Sequence, residues 1–365
     1  MNEDKQHQIE SLLNDSFVRP YLLDENITDI KYNGTSLRLK DKKKGPFIAP
    51  VQPTTEQVTQ LIRKIADLQG EQFNDTEAIL DIQIGNLRVN AIHEAGSPFG
   101  TTMSMRVSRP KKAMDSLSEL ADEEVEQLLR VFVQADISMV ISGATGAGKT
   151  EAQKMLVGDI DNNKTVSLIE DTMDSHIKTL YPEKDIYSWR ILDSDDRTKK
   201  ITGVLYIKAA LRNDSDWIII TETRGAAEAY EIVQAALTGH SMLTTIHTPE
   251  AIGIPSRILN MVGQEYKINE IRFGRDIVNS LPIGIHMVME MNEEGEMERY
   301  IREIVEFTDF NENGVVAQTI YKVENVHVSG ETYKREVKKN PISENLKKRL
   351  QEKKMLHMLP EEFKG

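Results

Sequence analysis

Residues 143–150 read Gly-Ala-Thr-Gly-Ala-Gly-Lys-Thr and fit the spacing G-x-x-x-x-G-K-[S/T]. That spacing suits an anion. Glycines let successive backbone N–H groups curl around phosphate oxygens, and the helix that follows aims the positive end of its dipole at the same oxygens. Lys149 is placed to reach β- and γ-phosphates, and the Thr150 hydroxyl to ligate Mg²⁺. The candidate nucleotide-binding set is therefore Gly143, Ala144, Thr145, Gly146, Ala147, Gly148, Lys149, Thr150 and the next residue, Glu151, with ATP and Mg²⁺ as the expected ligands. A chance match in a chain this long is on the order of one in a hundred at ordinary glycine usage. Context lowers the odds further, since the apolar run 137–142 precedes the loop and a helical stretch follows from Lys149.

Carboxylates and histidines with suitable placement follow. Residues 216–222, Asp-Trp-Ile-Ile-Ile-Thr-Glu, read as an apolar strand ending in an acid. Glu222 is a candidate to polarise an attacking water or to hold Mg²⁺ through one. Glu170 and Asp171 end the strand 165–170, at the edge where open α/β sheets bind ligands. Each pattern is weak by itself, because many buried strands end in an acid and such acids often cap turns. Two histidines flank the strand 241–246. His247, which follows it, is a candidate γ-phosphate contact, and His240, which precedes it, reads as structural. A zinc site on this pair lacks a nearby third ligand at helical spacing.

These residues need a scaffold, and the sequence offers two regimes. Residues 1–108 mix helix and strand patterns. Residues 27–34 read as a strand ending in an Asn-Gly turn, with 36–40 as its hairpin partner. Thr54 and Gln57 resemble a capping box that opens an amphipathic helix carrying Val58, Leu61, Ile62 and Ile65 on one face. Strands are expected at 79–84, 87–92 and 101–107, giving a smaller α+β domain with mostly antiparallel pairing. Pro110, Lys111 and Lys112 mark a linker over 109–117. From 118 to 365 short apolar strands alternate with helices, beginning with a helix over 118–134. The expected fold is α/β with a mostly parallel sheet covered on both faces. Further strands are expected at 285–291 and 300–308, and a Lys-rich helix at 343–355.

Composition narrows the function classes. The net charge of −13 argues against a general nucleic-acid binder. Cysteine is absent, which excludes disulfides, iron–sulfur clusters and Cys-ligated zinc and suits a cytoplasmic location. The N-terminal stretch lacks the basic start and apolar core of a signal peptide, and no run approaches the ~18 apolar residues of a membrane span. Any membrane contact is thus expected to be peripheral. The Lys-rich end, with Lys338, Lys339, Lys347, Lys348, Lys353 and Lys354, is a candidate to touch acidic lipid headgroups or a partner's acidic surface, although a solvated helix face is the plainer reading.

The four elements, in this order, resemble the Walker A, Asp-box, Walker B and His-box segments of the secretion (traffic) ATPase superfamily, which serves type II and type IV secretion, conjugation and type IV pili. The likeness continues through residues 208–240, from an Ala-Leu-Arg segment to the Gly-His pair, and covers roughly residues 25–325. It implies a RecA-like P-loop domain at the C-terminal end and an ATP hydrolase working as a hexamer with inner-membrane components of its machine. It also implies roles: Glu222 as the Walker B acid, Glu170 and Asp171 as Asp-box acids, His240 and His247 as the His-box pair. Arg88 and Arg106, on two N-terminal strands, become candidate arginine fingers, with Arg109 a substitute for Arg106. Arg224 and Arg257 also match family positions, as structural or phosphate-sensing groups.

Two departures stand out: Thr221 precedes the Walker B glutamate where Gly is usual, and the strand opens Ser215-Asp216 rather than Pro-Asp. The two-CxxC zinc module of many type II and pilus-extension members is absent. Residues 27–34, Ile-Thr-Asp-Ile-Lys-Tyr-Asn-Gly, resemble the family's N-terminal signature, and with the chain's length they are more similar to the type IV secretion and conjugation branch or its tight-adherence relatives. A pilus-assembly motor and a nucleotide-binding regulatory scaffold are the alternatives, and a helicase fits poorly with the charge.

Overall fold

The structure is a computed structural model that describes residues 3–192, 200–292, 294–329 and 332–365. Met1 and Asn2, which open the N-terminal stretch read above, lie outside the described residues. The chain falls into two compact units: Met1–Pro110 with Glu290–Glu298, and Lys111–Met289 with Arg299–Gly365. The sequence boundaries assigned everything beyond 118 to one domain. The structure instead gives 290–298 to the first unit, where the Met297 N–H donates to the Lys43 carbonyl at 2.6 Å.

The first unit carries a six-stranded sheet. Its strands are β1 (Ile27–Tyr32), β2 (Leu37–Asp41), β3 (Gly45–Ile48), β4 (Ile79–Ile84), β5 (Leu87–Ile92) and β6 (Thr102–Val107), in the order β3-β2-β1-β6-β5-β4 with antiparallel pairing. The β1–β2 turn closes because Gly34 adopts φ +95° and the Asn33 side-chain oxygen accepts the N–H groups of Thr35 and Ser36. Helices α1 (Glu3–Asn14), α2 (Arg19–Leu23) and α3 (Thr55–Gln69) complete the unit. The expected capping box at the start of α3 is present: Thr54 Oγ1 accepts the Gln57 N–H, and the Gln57 side chain accepts the Thr54 N–H. The apolar face of α3 is buried with Ile30, Leu37, Val89 and Met105, each such side chain contributing ~1.5–3 kcal/mol. Strand β3 escaped the sequence reading because it is short, contains Pro46 and lies at the sheet edge.

The second unit is built around a nine-stranded sheet. Its strands are β7 (Met139–Gly143), β8 (Thr165–Glu170), β9 (Asp185–Arg190), β10 (Trp217–Ile220), β11 (Ser241–Ile246), β12 (Ile283–Met291), β13 (Met297–Asn311), β14 (Gly314–Ser329) and β15 (Thr332–Lys339). Their order is β15-β14-β13-β12-β7-β11-β10-β8-β9. From β12 to β9 every pairing is parallel, whereas β13, β14 and β15 pair antiparallel. The helices are α4 (Glu123–Gln134), α5 (Lys149–Gly158), α6 (Ile177–Leu180), α7 (Gly203–Ala210), α8 (Ala226–Leu237), α9 (Ile254–Gly263), α10 (Glu270–Ser280) and α11 (Glu344–Glu352).

Strand β10 shows why its sequence is an unbroken apolar run. Trp217 and Ile219 pack with Leu128, Phe132 and Leu156 on one face, while Ile218 and Ile220 pack with Ile207, Ile232, Ile258 and Ile277 on the other. With both faces covered, neither tolerates a polar side chain.

Two differences from expectation have local causes. The helix expected over 118–134 is broken into a 3₁₀ turn, Leu117–Glu119, and α4, because Ser116 and Asp122 each cap a separate start. The β14–β15 ribbon was not foreseen, since its outer half is exposed and charged and lacks a simple alternation. The expected Lys-rich helix is α11, capped by Ser343 and anchored by buried Leu346 and Leu350.

Candidate nucleotide site

The loop between β7 and α5 owes its shape to glycine. Gly143, Gly146 and Gly148 take φ of +146°, +86° and +94°, a region that side chains disfavour. At Gly143 space is also decisive, because a Cβ would fall 2.4 Å from the Met287 carbonyl oxygen. Ala144, Thr145 and Gly146 are exposed, so the loop's crest is open. Helix α5 is held under the sheet's carboxyl edge by Gln153, whose Nε2 donates to the Ile220 and Leu243 carbonyls at 3.0 and 3.3 Å.

Lys149 is 8% exposed and turned onto its own loop, its Nζ donating to the carbonyls of Gly143 (2.8 Å) and Ala144 (3.0 Å). Burial lowers its pKa, with the Glu222 carboxylate opposing. An ammonium so desolvated, hydrogen-bonded to carbonyl dipoles, can exchange them for phosphate oxygens. The Glu151 side chain serves another purpose. Its carboxylate takes the Lys154 ammonium at 2.7 Å and the Ala113 N–H at 3.1 Å, which leaves only its backbone for the cradle.

Glu222 is the hub beside the lysine. It accepts from Arg224 at 2.9 Å and faces His247 Nε2 at 3.2 Å. Burial pushes its pKa up, but the Arg224 hydrogen bond and the charges of Arg224, His247 and Lys149 outweigh that and hold it below the usual range. Arg224 also grips Asp171 at 2.6 Å, and His247 Nδ1 lies 3.0 Å from the Gly143 carbonyl. The structure thus brings together Lys149, Gly143, His247, Glu222, Arg224 and Asp171 in one polar network at the carboxyl ends of β7, β8, β10 and β11. Glu170, at the end of β8, is 1% exposed, and burial pushes its carboxyl up to about 7 despite the Ser175 N–H at 3.3 Å. Among the described residues no group of three or more His, Asp or Glu side chains could cage a metal ion. The Thr150 hydroxyl and these carboxylates are nevertheless hard oxygen donors, a set that suits a Mg²⁺ ion which keeps waters and phosphate oxygens as its other ligands.

The profile of the family described as Type II/IV secretion system protein matches residues 52–348. The chain belongs to that family. An uncharacterized protein of Bacillus anthracis is 33% identical over 295 residues, covering 78% of this chain and 65% of that protein. Shorter stretches match competence proteins and type IV secretion proteins, among them PtlH of Bordetella pertussis, 30% identical over 134 residues, 34% of this chain and 37% of that one. The chain therefore spans less than two thirds of the length of these curated relatives. Among solved structures, the ATPase DotB of Legionella pneumophila shares the fold, with a TM-score of 0.56 and 19% identity over 85% of this chain and 80% of that one.

The remaining family-matched residues are placed as follows. Arg88 and Arg106 stand opposite each other on β5 and β6, in ion pairs with Asp81 (3.2 Å) and Asp29 (3.3 Å). Arg109 donates to the carbonyls of Leu22, Asp24 and Ile27, so it is a backbone clamp rather than a substitute for Arg106. Arg257 is exposed on α9. His240 bonds Thr238 at 2.9 Å and lines a polar cavity of about 520 Å³ with Asp136, Asp214 and Arg349. That cavity lies at the amino ends of β7, β10 and β11, the opposite edge from the loop.

The family departures are absorbed locally. Ser215 bonds Ser167 at 2.7 Å, and the Thr221 hydroxyl turns towards the Ile169 carbonyl at 3.5 Å. Sequence reasoning missed His286, a buried ring 2.9 Å from the Ser142 hydroxyl just ahead of the loop, held at about 4 by burial and by the charges of Arg302 and Lys149. It also missed Arg299, whose Nε donates to the Gly146 carbonyl at 2.9 Å. Neither lies in a motif; only the register of β12 and β13 against the loop reveals them.

Proposed function

We propose that this chain is an ATP hydrolase with a RecA-like core, acting as a hexamer at the cytoplasmic face of a membrane to drive a type IV secretion or conjugation apparatus. The domains of this reading are residues 1–108 and 118–365, joined by 109–117, with the segment 290–298 given to the first. The observation that carries it is the network that ties Lys149 to Glu222 through the Gly143 carbonyl and His247. A polyphosphate in the loop replaces the two carbonyls that Lys149 now holds. Thr150 and, through water, Glu222 would hold Mg²⁺, which supplies charge neutralisation on the phosphates. Glu222, kept ionised by its cationic neighbours, orients the attacking water. Glu170, poised near neutrality, accepts its proton. Asp171 fixes Arg224, which keeps Glu222 in place, and His247 reads the γ-phosphate side of the loop. Arg88 and Arg106 are the arginines assigned to neutralising the transferred phosphoryl group.

Phosphate release under saturating Mg-ATP tests this. Lys149→Ala abolishes both binding and release, whereas Glu222→Gln binds ATP normally and releases phosphate at least about 10²-fold more slowly. Equal rates in wild type and Glu222→Gln remove Glu222 from the mechanism. Binding by wild type with no release at all makes the chain a nucleotide-gated scaffold.

A further inference from the structure

One hairpin crowds two of the three positive-φ glycines of the phosphate loop and bonds the third. A Cβ on Gly143 would meet the Met287 carbonyl oxygen at 2.4 Å, and one on Gly148 would meet Met287 Cε at 3.2 Å and Arg299 Cδ at 3.4 Å. At Gly146 it is the carbonyl that is held, by Arg299 Nε at 2.9 Å. Met287 lies on β12 and Arg299 on β13. Between them the chain leaves the unit that contains the loop, since residues 290–298 belong to the N-terminal unit. There the Asn292 N–H donates to the Glu296 carbonyl at 2.8 Å, and the Met297 N–H to the Lys43 carbonyl at 2.6 Å. The Met297 side chain lies against Gly45, its Cγ 3.4 Å from an ideal Cβ there. Arg299 follows Met297 by two residues, so its backbone cannot move independently of that anchor.

We propose that Arg299 is a positioning residue of the phosphate loop, and that the hairpin segment 290–298 makes its placement responsive to the N-terminal unit; this rests on the nucleotide-site reading above. The peptide group is planar, so a held Gly146 carbonyl directs the Ala147 N–H the other way, where it now bonds the Ala144 carbonyl at 3.2 Å. Arg299 thereby fixes the orientation of a peptide at the crest of the cradle. Burial works against its guanidinium, with Glu151 opposing, which is the setting in which a charge-assisted bond to a carbonyl is hardest to give up. The N-terminal unit acts on the loop through covalent chain: a displacement of residues 43–45 carries Met297, and with it the start of β13.

The test measures KM and kcat for ATP, ADP affinity, and nucleotide-free thermal stability in Arg299→Ala, Arg299→Lys and Met297→Pro, which deletes one N–H at a strand's first residue, where proline is tolerated. Arg299→Ala raises KM and weakens ADP about tenfold or more, with kcat moved less and the nucleotide-free melting temperature near wild type. Arg299→Lys, which keeps one donor, recovers part of the loss. Met297→Pro shifts KM in the same direction without altering any residue that touches the loop; Met297→Ala replaces it should the proline unfold the unit. Wild-type KM in Arg299→Ala overturns the positioning role, as does a loss that tracks the melting temperature and is not relieved by lysine. Wild-type kinetics in a folded Met297 variant overturns the coupling. Lys149→Ala runs alongside: if wild type itself binds no nucleotide, it is the site reading that has failed.

Discussion

Replacing Glu170 by Gln separates the electrostatics of the site from its chemistry. Glu170 is buried at the end of β8, and its carboxyl is pushed from 4.5 to about 7 chiefly by loss of solvent. Between those pH values the folded protein holds a proton there that the unfolded chain has released. Stability therefore falls as pH rises through this window, at ~1.4 kcal/mol per pH unit, for a total of ~3 kcal/mol by pH 8. Gln keeps the acceptor for the Ser175 N–H and cannot ionise, so Glu170→Gln lacks this component. Urea unfolding read by tryptophan fluorescence suits the measurement, since both tryptophans, Trp189 and Trp217, lie in the unit that holds the site. The variant is expected to gain on wild type by ~2.5 kcal/mol between pH 5 and pH 8 while its kcat falls at least about 10²-fold. Stability curves that stay parallel across that range refute the burial argument. An unchanged kcat refutes the proton-acceptor role even where the stability prediction holds.

Gly143→Ala combines a disfavoured φ with a Cβ 2.4 Å from the Met287 carbonyl, and is expected to lose about 3 kcal/mol and all ATP binding, by denaturation and calorimetry. Arg224→Ala, at a site about half exposed, is expected to change stability by less than ~1 kcal/mol yet slow phosphate release about tenfold or more, because Glu222 and Asp171 lose their shared partner. His286 is neutral in the fold at pH values where an unfolded histidine is charged, so it makes stability fall as pH drops from 6.5 towards about 4; His286→Phe should flatten acid denaturation over that interval.

Much of this architecture was legible because local rules suffice for it. The loop, the Asn-Gly turn at 33–34, the Thr54 capping box and the apolar runs of β7, β10 and β11 each carry their own chemistry within a few residues. What was not legible depends on partners distant in sequence. Arg109 looked like a substitute finger, and only the positions of Leu22, Asp24 and Ile27 show it spending its donors on backbone. His286 and Arg299 gain meaning from strands that return to the loop more than a hundred residues later. Residues 290–298 belong to the N-terminal unit, where Met297 bonds the Lys43 carbonyl about 250 residues away, a pairing for which sequence has no local signal. The β14–β15 ribbon was missed because its outer half, exposed over 325–328 and 334–338, lacks the alternation that marks a half-buried strand.

The central claim is that Lys149 sits on the Gly143 and Ala144 carbonyls only until a polyphosphate displaces them. A crystal structure with Mg²⁺ and a non-hydrolysable ATP analogue measures this directly. The account predicts phosphate oxygens within hydrogen-bonding distance of Lys149 Nζ and the backbone N–H groups of 146–150, with both carbonyl contacts lengthened. Analogue bound elsewhere, or bound in the loop with Lys149 still on its carbonyls at 2.8 and 3.0 Å, contradicts it.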